Sequence, residues 1–162
     1  MIEVTEKRDY GLVTNEMRLE FAAVSDNESF ARMAVSAFIA PLNPTLEELS
    51  DVKTAVSEAV TNAIIHGYGN KGNITDRVQM NCELKGGILE VEIIDRGVGI
   101  EDVNRAMQPL FTTRPEWERS GMGFAFMEAF MDDLEVLSEP DQGTLVRMYK
   151  KIGLGGWIVS EE

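Results

Sequence analysis

Apolar and polar residues alternate early in this chain. Met17, Leu19 and Phe21 are set against Arg18 and Glu20, the period-two pattern of a half-buried strand. The period then lengthens. A first helix is predicted from about Asp26 or Asn27, with Phe30, Met33, Ala34, Ala37 and Phe38 as its apolar face and Pro41 and Pro44 ending it. Thr45 followed by Glu48 has the form of a capping box, and Leu49, Val52, Val56, Ala59, Val60 and Ala63 give a second helix an apolar stripe that His66-Gly67 closes. After the turn-rich GYGNKGN, strands at about 75–84 and 88–95 are joined by Gly86-Gly87, a hairpin signal. A third helix is expected at about 122–131, then a strand at 134–138, a PDQG turn and a last strand at 144–150.

Between these elements the regularity breaks. Gly97 to Gly123 holds four glycines, two prolines and one short helical stretch around 102–107, and so long a loop in a compact domain points to function. The element order predicts an α/β two-layer sandwich, a mixed, largely antiparallel sheet with its helices on one face. It disfavours a dinucleotide fold, because the glycines do not open a helix within a strand-helix-strand unit.

Composition narrows the class. The 162 residues carry a formal charge of −13, which argues against a nucleic-acid duplex or an anionic membrane as partner, although a local basic patch or a bridging magnesium ion can still meet phosphates. Cys82 is the one cysteine, so no internal disulfide forms and a reducing cytoplasm is expected. No secretory signal or membrane span is read, and the expected organisation is a flexible lead-in at 1–14, a single domain at 15–151 and a flexible tail at 152–162.

Candidate chemistry lies in four places. Glu58 and Asn62 are four apart on the second helix, toward the flank of its apolar stripe. That spacing suits two solvated residues, or an amide that holds a hydrated magnesium ion beside a general base. Asp95 ends an apolar strand before Gly97 and Gly99. It can cap a turn, or accept the amine hydrogen of an adenine that the glycines allow close to the backbone. Ser120-Gly121-Met122-Gly123 enters a helix whose amides can face phosphates, and Arg105 and Arg114 are the nearest cations in sequence. A lone His66 and a lone Cys82 exclude a zinc cluster.

Taken in order, the stretches from Glu58 to Gly67, Asp95 to Ile100, Pro109 to Thr113 and Gly121 to Phe124, with Gly143-Thr144, resemble the motif set of the superfamily that includes gyrase, Hsp90, histidine kinases and the mismatch-repair ATPase. More narrowly, residues 15–151 resemble the bacterial anti-sigma factor serine kinases, and within them the sporulation type. The resemblance implies the histidine-kinase-like ATPase fold with ATP or ADP and Mg2+ as cofactors. It implies Asn62 as the magnesium ligand, Glu58 as the catalytic glutamate and Asp95 as the adenine-binding aspartate. Gly97 and Gly99 then lie against the nucleotide, Arg105 on phosphate, Gly121 and Gly123 at the end of a lid, and Thr144 near adenine. Arg32 matches an arginine of the first helix that meets partners.

The same resemblance implies a homodimer that sequesters a sigma factor and phosphorylates a serine on its anti-anti-sigma antagonist. Two alternatives stay open. One is an ATPase whose hydrolysis drives a conformational cycle, disfavoured by a length that leaves no second domain to drive. The other is a non-catalytic sigma-binding module, disfavoured because Glu58 and Asn62 are both present.

Overall fold

The computed structural model describes residues 7–108 and 123–153. Its strands are β1 (Asn15–Ala22), β2 (Arg77–Lys85), β3 (Ile88–Asp95), β4 (Asp133–Glu139) and β5 (Gly143–Lys151), in one sheet of order β1-β2-β3-β5-β4. Each pairing is antiparallel, so among the described residues the sheet is not mixed as expected. The physical reason is connectivity: β2–β3 and β4–β5 are hairpins, and the helical crossover from β3 to β4 sets those two strands parallel with β5 inserted between them, so no hydrogen-bonded neighbours run parallel.

The helices are α1 (Asp26–Ile39), α2 (Leu46–Asn62), a short α3 (Val103–Ala106) and α4 (Gly123–Phe130). One face of the sheet, including Met80, Val91, Ile93 and Met148, forms a single core with Val35, Val56, Val60 and Met127 of the helices. Each such side chain removed from water contributes about 1.5–3 kcal/mol.

The buried face of α1 differs from the predicted one. Ala31, Val35 and Ile39 are fully buried, whereas Phe30 and Met33 are 51% and 64% exposed and Ala37 is exposed as well. Ala34 and Phe38 pack only at the margin of the core. The helix is wedged between β1 and α2, and the small Ala31 permits that close approach while larger side chains lie outside it.

Thr45 caps α2 by accepting the Glu48 amide at 3.0 Å. The reciprocal half of the capping box is missing, because Glu48 Oε2 accepts the Gly153 amide at 2.7 Å and so ties the start of α2 to the chain beyond β5.

The opposite face of the sheet is polar and closed. Arg147 on β5, fully buried, donates to Glu92 at 3.0 and 3.2 Å and to Glu135 at 3.0 Å, with Glu90 at 3.6 Å. From Lys7 onward the expected loose lead-in lies against this face. Lys7 Nζ is 3.3 Å from Glu92, Arg8 pairs with Asp133, Tyr10 packs on Tyr149 at 5.2 Å and the Thr14 amide donates to Leu84 O at 2.7 Å. The contacts have an electrostatic cause: a sheet face carrying Glu83, Glu90, Glu92, Asp133 and Glu135 attracts the basic start of the segment.

Candidate active site

The site is built where α2 changes pitch. After Asn62 the helix continues as a π turn over Ala63–Gly67, and the Tyr68 amide reaches Ala63 O at 3.1 Å, five residues back. The widened turn brings Gly67 against the end of β3. A Cβ on Gly67 would stand 2.7 Å from Asp95 Oδ1, so only glycine leaves the carboxylate where it is.

The loop after β3 is clamped from two sides. The Gly97 Cα presses on the Gly67 carbonyl, which accepts the Val98 amide at 2.9 Å, while the Tyr68 hydroxyl accepts the Arg96 amide at 2.7 Å and donates to Arg77 O at 2.6 Å. On the other side Gly99, at φ +73°, packs on the Glu139 carbonyl, the Ile100 amide donates to Ser138 Oγ at 2.8 Å and the Asp141 amide donates to Val98 O at 2.7 Å. Glycine at 97 and 99 is therefore explained by backbone approaching backbone.

Between these walls lies a pocket, open to solvent and lined by Asn62, His66, Asp95, Gly99, Phe124 and Thr144 over an apolar floor that includes Ala59 and Ile93. Asp95 and Thr144 are register partners across β3 and β5. Asp95 is only 5% exposed and accepts the Gly97 amide at 2.9 Å. Burial pushes its pKa up to about 6, against the opposing pull of backbone amides at Gly97 and Thr144. A carboxylate desolvated to this degree, at the wall of an open pocket, suits a ligand that brings a hydrogen-bond donor.

Glu58 and Asn62 share one face of α2, and α4 begins directly over them. A Cβ on Gly123 would lie 3.1 Å from Asn62 Nδ2 and 3.3 Å from Glu58 Oε2. The structure thus brings together Glu58, Asn62, Asp95, Gly99, Gly123 and Thr144. Gly97 sits behind the wall, against Gly67, and is not a lining residue. Arg105 is exposed on α3, outside the lining residues, and Arg32 lies on α1 with its Nε 3.0 Å from Glu28 Oε1. Glu28 also receives the Ser57 hydroxyl, which links Arg32 to the residue before Glu58. Gly121, Arg114 and the segment from Pro109 to Thr113 lie outside the described residues.

Three residues escape sequence reasoning: Gly67 as the floor under Asp95, Tyr68 as the hook on Arg96, and Ser138 as the anchor of Ile100. Only Gly67 carried a signal, a glycine where an apolar helix stops.

The pocket lies between α2 and an antiparallel sheet, and residues 21–150 match the family model described as "Histidine kinase-like ATPase domain". The chain is 59% identical over 140 residues to the anti-sigma F factor of Thermoanaerobacter sp. (strain X514), covering 86% of this chain and 96% of that protein. It is 56% identical to the anti-sigma F factor of Pasteuria penetrans, covering 85% and 91%, and 53% identical to that of Clostridium acetobutylicum, covering 88% and 98%. The fold is similar to the crystal structure of the RsbU and RsbW domains of a Mycobacterium tuberculosis protein, with TM-score 0.62 at 19% identity, over 86% of this chain and 33% of that one. The chain belongs to the anti-sigma F factor family of histidine kinase-like ATPase domains.

Proposed function

We propose that this protein is a Mg-ATP-dependent serine kinase and anti-sigma factor, cytoplasmic and homodimeric, which holds a sporulation sigma factor and phosphorylates a serine on the antagonist that releases it. The observation that carries the reading is the convergence of Asp95, Thr144 and Asn62 on one pocket with Glu58 beside Asn62 at the start of α4. The names of the relatives supply the sigma factor.

The residues present fit the cofactors. Adenine's amine supplies a further donor to buried Asp95, while Ile93 and Ala59 provide an apolar floor for the ring. Among the described residues no cluster of three or more His, Cys, Asp or Glu could hold a metal alone. The Asn62 amide oxygen suits an ion that keeps most of its waters and takes its other ligands from phosphates, as Mg2+ does. When bound, Mg2+ offsets phosphate charge and aligns the terminal phosphoryl group.

In the reaction proposed for this chain, Asp95 and Thr144 hold the base and Asn62 fixes the phosphate end. Glu58 accepts the proton of the antagonist's serine hydroxyl as that oxygen attacks the γ-phosphorus in line. The bond from the γ-phosphorus to the bridging oxygen breaks and ADP leaves. Arg105 is assigned to phosphate, Gly121 and Gly123 to the end of the lid, and Arg32, with five donors in a rigid fork, to carboxylates of the protein partners.

The test is incubation of the chain with γ-labelled ATP, magnesium and the antagonist, followed by location of the label. Phosphoserine on the antagonist, lost in Glu58→Gln, is expected. Free phosphate alone would replace the kinase reading by that of an ATPase. Calorimetry of Arg32→Ala against sigma factor and antagonist is expected to show weakened binding of the protein partners, by roughly 2 kcal/mol for a buried anchor, with ATP binding unchanged.

A further inference from the structure

The outer face of the sheet sets like charges against each other. Glu16, Glu83 and Glu90 are successive register partners across β1, β2 and β3, and the row continues through Tyr149 to Asp133. The next row holds Glu92 and Glu135 on either side of Arg147. Like charges directly opposite one another destabilise a sheet, so this face calls for cations. Among the described residues, the sheet's own cations paired with these acids are Lys85 and Arg147.

Residues 7–14 bring the rest. Lys7 Nζ lies 3.5 Å from Glu83, 3.6 Å from Glu90 and 3.3 Å from Glu92, while Arg8 pairs with Asp133 and Glu135. The Tyr149 ring has Arg8 at 5.8 Å and Tyr10 at 5.2 Å. This segment precedes residues 21–150, which match the ATPase family model, whereas Glu83, Glu90, Glu92, Asp133 and Glu135 fall within them. Its seat is also imperfect. Glu90 is 1% exposed, yet neither of its carboxylate oxygens has a hydrogen-bond partner among the described residues, because Lys7, Lys85 and Arg147 all stop at 3.6 Å. A buried acceptor without a donor costs stability, so a ligand that supplies one can displace the segment.

We propose that this face is a docking surface for an arginine-bearing, cationic segment of a partner protein, and that residues 7–14 occupy it intramolecularly as a replaceable strap. A guanidinium offers two parallel donors to one carboxylate, which the point charge of Lys7 does not. Tyr149 adds a ring for a cation to lie over. The tether holds the strap at a high effective concentration, so weaker cations are kept off. The pocket of Asp95 and Thr144 lies on the helix side of the sheet, so the inference does not depend on what is bound or phosphorylated there.

The test titrates a synthetic peptide of residues 7–14 carrying Lys7→Arg into the full chain, by calorimetry at low ionic strength. The double variant Lys7→Glu/Arg8→Glu, whose strap the acids repel, is expected to bind it roughly tenfold or more tightly than the wild type does. Adding Asp133→Asn and Glu135→Gln is expected to abolish that gain. The peptide with its native lysine is expected to bind more weakly than the arginine form. Trypsin, which cuts after lysine and arginine, is expected to cleave the wild type after Lys7 and Arg8 more slowly than the Asp133→Asn/Glu135→Gln chain.

Equal affinity of the wild type and the charge-reversed chain, or binding to neither, overturns the proposal and leaves the lead-in as a structural brace. Circular dichroism checks that both are folded, and if charge reversal unfolds the chain, Lys7→Ala/Arg8→Ala carries the same comparison. Equal trypsin rates would show that the strap is not seated and overturn it as well. Equal affinity for the arginine and lysine peptides removes Glu90 as the anchor, and with it the arginine-bearing partner.

Discussion

Gly67 and Asp95 face each other so closely that a methyl group on Gly67 would stand 2.7 Å from Asp95 Oδ1. They come from different layers, one from the π turn beyond α2 and the other from the end of β3. The position of the carboxylate in the pocket is thus set by the backbone of the element that carries Glu58 and Asn62. Gly67→Ala is expected to push Asp95 from its place and to weaken ATP binding about tenfold or more, since a displacement of that size exceeds what a hydrogen bond tolerates. Calorimetric titration with ATP checks the affinity, and a circular dichroism spectrum checks that the fold persists.

The raised pKa of Asp95 gives nucleotide binding a defined pH dependence. The ionised carboxylate accepts from an amine more strongly than its protonated form, so ATP affinity is expected to fall as pH drops through about 6. Stability of the nucleotide-free fold moves the other way for this group. Its folded pKa lies above the ordinary 3.8, so its stabilising contribution is full below 3.8 and is lost as pH rises through about 6. ATP titrations from pH 8 to about 5.5 on the wild type and Asp95→Asn check the first statement. The nucleotide's own titration appears in both, and the difference between the two profiles isolates Asp95.

On the far side of the sheet, Arg147 is held by Glu92 and Glu135 and lies beside Glu90, with no exposure of its own. Removing one member of a buried ionic set leaves uncompensated charge. Arg147→Met is expected to lower stability by about 3–5 kcal/mol. Urea unfolding followed by circular dichroism measures it. A loss under 1 kcal/mol would mean that the cluster reorganises at little cost.

The order of elements was legible because each repeats a local pattern: alternation in β1 to β3, a helical stripe in α2, and glycines or prolines between them. Antiparallel pairing throughout was less so, because pairing depends on connection. The face of α1 misled because Phe30 and Met33 are the large apolar residues, whereas the packing against β1 and α2 selects Ala31, Val35 and Ile39. The contacts of the lead-in were illegible for a related reason: nothing local to Lys7 and Tyr10 points to the acidic sheet face and Tyr149 that they meet.

At the site, Asn62, Asp95 and Thr144 could be named from ordered motifs, yet only the fold shows them sharing one pocket. The resemblance implies Gly97 against the nucleotide, and the fold adds a packing reason for glycine there, its close approach to the Gly67 carbonyl. Tyr68 and Ser138 act through single hydroxyls whose partners lie 28 and 38 residues away in sequence, at Arg96 and Ile100, and no local pattern marks them.

The central claim is that the cleft between α2 and the β3–β5 pair is a Mg-ATP site with Asn62 at its phosphate end. Titration of wild type and Asn62→Ala with ATP, each with and without magnesium, tests it most directly. The account predicts that magnesium tightens ATP binding to the wild type, and that Asn62→Ala loses most of that gain while its magnesium-free affinity and its fold stay close to wild type. An Asn62→Ala chain that binds ATP in magnesium as tightly as the wild type would contradict it.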